Sequence, residues 1–398
     1  MSRAKPTTTL DDILIIGLAL GPLVGVVAGA VLGATTLDLA LFGSFWFATM
    51  FGIELGYHRY FSHRSFKCGR LLQALMIIFG SMSFQGPAIW WAATHRKHHK
   101  FADRAEDPHS PHNAGTGVRG MLLGLYDAHM GWNFRAYQTI RDKTQWKHFV
   151  PDLVEDRWLR AVNRGYFLWM ALGLAIPAAI GGAVTGTWHG ALTGVVWGGL
   201  VRLFAVNHGT YAVNSLCHAF GARPFALHSR DRSTNNFVIA LFTFGAGWHH
   251  NHHVFPGSAT NWVLPWQVDF GGALLRGLSW CGVVWDRGTP PAEARDPAWR
   301  RRMRVRVASP GFAGARSNAK RCGGSIDEIA GFVSGISEKG GFIELRGRAR
   351  EVGSRITLHV ETPPCDVDAI VERTSWRGVA VRFVEPKPEL AALKRELS

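Results

Sequence analysis

The sequence predicts an all-α integral membrane domain, with four transmembrane helices under a cytosolic helical cap, followed by a small all-β barrel. Three observations carry that reading. Long apolar blocks lack charge, nine histidines gather in four clusters beside those blocks, and the pattern changes after residue 284.

The blocks come first. Ile13 to Ala34 runs 22 residues without Asp, Glu, Lys or Arg, and Leu39 to Ile53 adds another 15. A crossing helix needs ~20 residues. Gly165 to Val201 is uncharged for 37 residues, enough for two crossings with a tight turn near Thr185, Gly186 and Thr187. Leu71 to Thr94 is uncharged too, but Gln73, Ser81, Ser83, Gln85, Gly86 and Pro87 interrupt it. The first block exceeds the ~7–15 residues of a signal-peptide core and follows Asp11 and Asp12, so no cleavable signal is expected.

Composition agrees with a membrane protein. Mean hydropathy is +0.03 with 16 Trp, high for a soluble enzyme. The net charge of +15 fits Lys and Arg gathered between membrane blocks, with anionic lipid as companion and no nucleic-acid polymer as partner. Cys68, Cys217, Cys281, Cys322 and Cys365 are odd in number, widely spaced and free of C-x-x-C. That argues against a disulfide framework or thiolate site and for a reducing cytoplasm.

The histidines are His58 and His63, then His95, His98 and His99, then His218, then His249, His252 and His253. Neutral imidazole is the commonest metal ligand, and this many exceed the needs of one ion. A two-metal centre pressed against a membrane follows. His95-Arg-Lys-His98-His99 and His249-His-Asn-His252-His253 share the spacing H-x-x-H-H. On a helix, positions i, i+3 and i+4 share a face, so each cluster is expected to present three nitrogens to one place. The five-residue spacing of His58 and His63 suits the frayed end of a crossing helix. His250 would point about 100° away, as a supporting or solvent-facing residue. His109 and His112 lie in a Pro-broken loop and are not expected to be ligands. His129, His148, His189, His208, His228 and His359 lack partners at ligand spacing and are assigned structural roles.

Histidines that share two metals must lie on one side of the bilayer. Residues 13–34 and 37–56 therefore cross and return, and 71–94 forms one helix that dips into or lies along the interface. Residues 165–184 and 188–207 cross and return again. Four crossings leave both termini and the site on the cytoplasmic side of an inner membrane.

After residue 284, Gly288, Pro290, Pro291 and Pro297 mark a linker over 285–299. The domains read from this are 1–284 and 300–398. Alternating runs at Glu328–Ile336, Gly341–Leu345, Arg355–Glu361, Asp366–Arg373 and Gly378–Glu385 predict strands, and Pro388–Leu397 a closing helix.

Gly56-Tyr-His-Arg-Tyr-Phe-Ser-His-Arg-Ser-Phe66, His95 to His99, Asn214-Ser-Leu-Cys-His218 and Gly247-Trp-His-His-Asn-His-His-Val-Phe-Pro256 resemble the boxes of membrane fatty acyl desaturases. The likeness covers residues 10–285 and is closest to the Δ9, stearoyl-CoA desaturase-like branch. Asp107-Pro-His-Ser-Pro111 and His129-Met-Gly-Trp132 share it. The resemblance implies that the nine histidines bind two irons and that Asn214 holds one through a water. It also implies O2 as co-substrate, with a cis double bond placed in the acyl chain of a fatty acyl-CoA or a membrane lipid. Trp46, Trp90, Trp91, Trp132 and Trp248 are candidates to line the acyl tunnel or the interface.

The sequence departs from the family in three places. Animal members carry Arg-Asp just before the second box, helping to hold CoA, where this chain has Ala93-Thr94. Ala246 replaces the usual acidic residue in the Gly-x-Gly before the last box. No His-Pro-Gly-Gly haem motif is present, so a separate donor, ferredoxin or cytochrome b5-like with its reductase, is expected. A related hydroxylase or ketolase would use the same irons, and a membrane receptor with structural metals is a reading from another class.

The C-terminal part resembles a PilZ domain, a module for cyclic di-GMP, through Ile336–Ile343, Val352–Leu358 and Gly378–Val384. The resemblance implies phosphate contacts from Arg300 and Arg304, or Arg302 and Arg306, with Ser337 and Gly340 in the second motif. Gly335 stands where that motif has Asp or Asn. Beside a membrane the same arginines would also suit anionic lipid.

Overall fold

The computed structural model describes residues 9–136, 139–140, 143–225 and 231–295, and in the C-terminal part 305–308, 329–337, 340–345, 352–353, 355–361, 364–374 and 379–385. The chain divides into two compact units. One comprises residues 1–98, 103–222 and 233–289, the other 99–102, 223–232 and 290–398.

Helix α1 covers Thr9–Leu32 and ends at Gly33, whose φ of 73° only glycine adopts freely. Thr35 then caps α2 (Thr36–Met50) in a reciprocal box. Its Oγ1 accepts from the Asp38 N–H at 3.2 Å, while Asp38 Oδ2 accepts from the Thr35 N–H at 2.9 Å. Instead of fraying, α2 continues into a π-wound segment, Phe51–Ser62. In an α-helix residues five apart fall about 140° round the axis. Hydrogen bonding from i to i+5 brings them back toward one face, which is what His58 and His63 require.

The region 71–94 is two helices, not the single dipping helix expected. Helix α3 covers Arg70–Ser81 and α4 covers Ala88–Phe101. Between them Phe84 and Gly86 take left-handed φ of 63° and 91°. Pro87, which disfavours helix at the residue before it, enforces the break. Helix α3 packs directly on the π-wound segment: a Cβ on Gly52 would lie 2.0 Å from the backbone nitrogen of Gly80.

Helix α5 (Tyr166–Thr185) ends at Gly186, with φ of 68°. Thr187 caps the next helix by accepting from the Gly190 N–H at 3.0 Å, so the turn falls where the sequence put it. Helix α6 runs through Trp188–Gly194, a π-wound Val195–Val201 and Arg202–Ser215. Among the described residues, three helical stretches are long and apolar enough to cross a membrane: Thr36–Ser62, Tyr166–Thr185 and Trp188–His218. The protein is mostly helical, and these stretches mark it as a membrane protein. The remaining box lies on the short helix α7 (His249–Val254), and α8 covers Phe270–Trp280.

Strand β1 (Lys67–Cys68) pairs antiparallel with β2 (Val284–Trp285), and the Gly288 N–H donates to the Ser65 carbonyl at 2.8 Å. Residues 284–288 are thereby tied to the segment that follows the first histidine pair.

In the C-terminal part the described strands are β3 (Val305–Ala308), β4 (Ile329–Ser337), β5 (Gly340–Leu345), β6 (Arg355–Glu361), β7 (Pro364–Thr374) and β8 (Val379–Phe383). They pair in the closed order β3-β4-β5-β8-β7-β6, and Val367, Ala369 and Val371 alternate inward. Arg306 lies on β3 opposite Ala330 and His359, and Ser337 pairs with Gly340 at the end of the β4–β5 hairpin. Arg300, Arg302, Arg304 and Pro388–Leu397 lie outside the described residues.

Candidate metal centre

The nine histidines form two groups, and the division corrects the expectation of three nitrogens per box. Ligand atoms of His58, His63, His95, His99 and His252 lie within 4.8 Å of one another, as do those of His98, His218, His249 and His253. Each H-x-x-H-H box is split. His95 and His99, a full helical turn apart on α4, serve the first group, while His98 turns to the second. On α7, His249 and His253 serve the second group and His252 the first. Adjacent histidines point about 100° apart, so each helix supplies both groups at once.

Four Nε2 pairs define the contacts. His58 meets His252 at 2.9 Å and His63 meets His95 at 2.8 Å. His218 meets His249 at 2.9 Å and His98 meets His253 at 3.2 Å. Two imidazole nitrogens bound to one ion at about 2.0–2.1 Å stand roughly 3 Å apart at right angles, so these spacings suit shared metals.

Carboxylates decide which nitrogen faces inward. Glu54 Oε1 lies 2.9 Å from His58 Nδ1, Asp107 Oδ1 2.9 Å from His98 Nδ1, and Asp103 Oδ2 2.8 Å from His218 Nδ1. Each accepts from the Nδ1–H and leaves a bare Nε2 lone pair turned to the partner ring. Burial, and then the neighbouring imidazoles, hold His95, His249 and His252 well below the usual histidine range. They are neutral and ready to ligate. Burial alone would raise the Asp107 carboxyl, but His98 holds it below its ordinary value, so it stays an anion. Nine imidazoles, three of them steadied by carboxylates, fit two soft-to-borderline cations.

Two buried arginines lock the frame. Arg59 donates to Glu54 at 3.2 Å, to Asp269 at 2.9 Å and to the Phe244 and Ala259 carbonyls at 2.8 Å. Arg96 donates to the Phe61 and Ser62 carbonyls at 2.9 and 2.7 Å and to Asp152 at 2.6 Å. It thus pins the end of the π-wound segment, and with it His63, to the helix bearing His95.

A cavity borders His95, with Trp90, Trp91, Trp132, Thr94 and Asn214 in its wall. Gln85 reaches across one side, donating to Asn207 and to Thr210 at 3.1 Å each. Of the other tunnel candidates, Trp46 packs edge-on against Phe244, and Trp248 is buried with its Nε1 donating to the Val268 carbonyl at 2.7 Å. Ala246 sits in an apolar cluster with Val213, Cys217 and Ile239, a poor place for an acid. His250 is fully buried, with Nδ1 3.3 Å from Ser233 Oγ, so it is not solvent-facing. His109, not expected to be a ligand, lies tilted beside His98 with ring centroids 4.3 Å apart, and burial pushes its pKa down to about 3.

The profile of the fatty acid desaturase family matches residues 37–267. The chain belongs to the fatty acid desaturase family. It is 39% identical over 261 residues to a hex-5-enoyl-[acyl-carrier protein] acetylenase of Moorena producens, covering 65% of this chain and 79% of that one. An acyl-CoA C20 Delta5-desaturase of Anemone leveillei is 33% identical over 241 residues, 61% of this chain and 70% of that one. An sn-1 stearoyl-lipid 9-desaturase of Synechocystis is 36% identical over 245 residues, 61% and 69% of the two chains. This desaturase is an oxidoreductase acting on fatty acyl chains, and its two histidine groups are able to hold metal.

Glu54, Asp103 and Asp107 are the functional residues that sequence reasoning missed. An acid four residues before His58 in an otherwise apolar span was a readable signal. Asp103 gave none, because its reach to His218 bridges 115 residues of sequence.

Proposed function

We propose that this desaturase inserts a cis double bond near the middle of a saturated acyl chain, at Δ9, using O2 and two irons. His58, His63, His95, His99 and His252 would hold one iron; His98, His218, His249 and His253 would hold the other, with Asn214 contributing through a water. The observation that carries the reading is the grouping of the nine histidines into five and four around facing Nε2 atoms. Bound and reduced, the irons supply an oxidant able to attack an unactivated methylene. The protein's own work is positioning: Trp90, Trp91 and Trp132 would flank the chain, and the Gln85–Thr210 bond would bend its path.

The carrier follows from Ala93 and Thr94. Without Arg-Asp there, an acyl chain on a membrane lipid is favoured over acyl-CoA, in line with the stearoyl-lipid relative. Electrons would come from a separate ferredoxin or cytochrome b5-like protein drawn to the basic cytosolic face. With α1 as a fourth crossing, both termini and the irons would lie on the cytoplasmic side of the inner membrane. Residues 300–398 would form an independent PilZ-like barrel, binding cyclic di-GMP through the Arg300–Arg306 run, Ser337 and Gly340.

Lipid mass spectrometry with double-bond localisation, on membranes after expression, tests the activity. New Δ9 cis chains are expected, and hydroxylated chains without new double bonds would overturn the reading. A triple bond would favour acetylenase chemistry, the second reading that the Moorena producens relative suggests. Calorimetry on the full chain with cyclic di-GMP tests the C-terminal part; no binding at micromolar ligand would remove that function.

A further inference from the structure

Desaturation with O2 has a proton requirement. Two C–H bonds and the O–O bond break, while the C=C bond and four O–H bonds form. The substrate supplies two hydrogen atoms, so two electrons and two protons must come from outside. An external one-electron protein donor carries the electrons. The protons must reach a buried cavity.

A hydrogen-bonded chain outside the two histidine groups leads there. Ser215 Oγ donates to the Tyr211 carbonyl at 2.8 Å, and His129 Nδ1 lies 3.0 Å from Ser215 Oγ. With its own hydrogen committed, the hydroxyl must accept from His129 Nδ1–H. His129 Nε2 is then bare, and it accepts from His208 Nδ1–H at 2.9 Å. Every link therefore runs in one direction, from His208 to Ser215. Ser215 is 1% exposed and lies beside Tyr211 and Asn214, both in the cavity wall.

The other end is less buried. His129 and His208 are only half-buried. The apolar stretch Trp188–His218 has 31 residues, and it starts at an exposed Trp188 of the kind that marks a membrane boundary. At 1.5 Å per residue it outruns a ~30 Å hydrocarbon core by about ten residues. His208 thus stands near the level where the helix leaves the hydrocarbon.

We propose that His208, His129 and Ser215 form the proton path from the membrane boundary to the cavity wall, with His129 as its relay; Ser215 takes the proton from His129 and gives up its own by turning its hydroxyl from the Tyr211 carbonyl to the cavity beside Asn214. The inference rests on the desaturase chemistry proposed above. Burial, then the adjacent His208, pushes His129 down to about 4, so the ring is neutral and free to take a proton at Nε2 as it gives one from Nδ1. Few other ionisable groups face it. Tyr211 packs edge-on at 5.7 Å, and Asp127, on the same turn as His129, is held by Arg135 at 2.6 and 2.7 Å.

H129N tests the path in the full-length protein, because the Asn amide can keep the bond to Ser215 but cannot relay. H129N should retain its iron and thermal stability and lose roughly a hundredfold in turnover, the scale of one missing proton-transfer group. Imidazole in the buffer should restore part of the rate, which a merely structural defect would not allow. S215A, which keeps both rings, should slow in the same sense. Solid-state nitrogen NMR on 15N-histidine protein, differenced against H129N, should show a ring protonated at Nδ1. Wild-type turnover in either variant, a slow H129N without imidazole rescue, or a ring protonated at Nε2 would overturn the path. A wild-type chain that forms no unsaturated product would sink the desaturation reading itself.

Discussion

The guanidinium of Arg202 donates to the Gly173 carbonyl at 3.0 Å, the carbonyl that Pro177 leaves without a helical partner. Proline has no N–H, so a membrane-buried carbonyl four residues before it must find another donor. Arg202 also donates to the Met82 carbonyl at the end of α3 and to Gly198 in the π-wound part of α6, at 3.2 Å. One buried cation thus meets three backbone carbonyls, one of them stranded by Pro177.

R202M should therefore destabilise the helical unit by about 3 kcal/mol or more, the order of several bare carbonyls. R202K, with fewer donors and no planar fork, should fall between. Thermal unfolding in lipid nanodiscs measures both; an R202M protein as stable as wild type would remove the role.

Removing a ligand should empty one group and spare the other. With one iron in each group, as proposed, H218A and H252A should each lower iron per purified chain by about half. H109Q, outside both groups, should keep the full complement. Elemental analysis reads this directly, and a loss in H109Q equal to that in H218A would refute the assignment.

The three carboxylates should matter nearly as much as the ligands. E54Q, D103N and D107N each disturb the Nδ1 bond that turns an Nε2 inward. Each should weaken iron about 10–100-fold in competition with a chelator, with the fold kept. Unchanged affinity in all three would mean that the carboxylates do not orient the rings.

Acid should loosen the clamp between the first two boxes. Burial would raise the Asp152 carboxyl, but Arg96, then Arg64, hold it below its ordinary value. A depressed carboxyl contributes stability that is present above its unfolded pKa of about 3.9 and lost as pH falls through the lower folded value. Between neutral pH and about pH 4, D152N should be less stable than wild type, and the gap should close in stronger acid. A constant gap down to that range would exclude the ion pair as cause.

The crossing of α3 with the π-wound segment gives a steric test. G52A places a Cβ 2.0 Å from a backbone nitrogen and should cost about 1–3 kcal/mol and shift His58 and His63. G43A has nothing within 4 Å and should cost little. Unfolding curves of the two variants, with iron content, separate overpacking from a general intolerance of substitution.

Much of this was legible in one dimension. Apolar run length located three of the four expected stretches as helices long enough to cross, and the turn at Gly186, because a bilayer of fixed thickness demands about 20 apolar residues per helix. Histidine count and residue type pointed to clusters able to hold metal, since imidazole clusters beside a membrane have few other uses. The box residues around them named the family. What the sequence could not carry was the partition of each box. Spacing shows that His95, His98 and His99 share a face, but only the packing of α4 against α7 sends His98 to one group and its neighbours to the other. Likewise α3 approaches the π-wound segment closely at Gly52, a contact no local pattern announces, and Asp103 finds His218 only after the chain has folded back. Local periodicity determines which residues are available; which of them meet is decided by tertiary contacts between segments far apart in sequence, where no local pattern reaches.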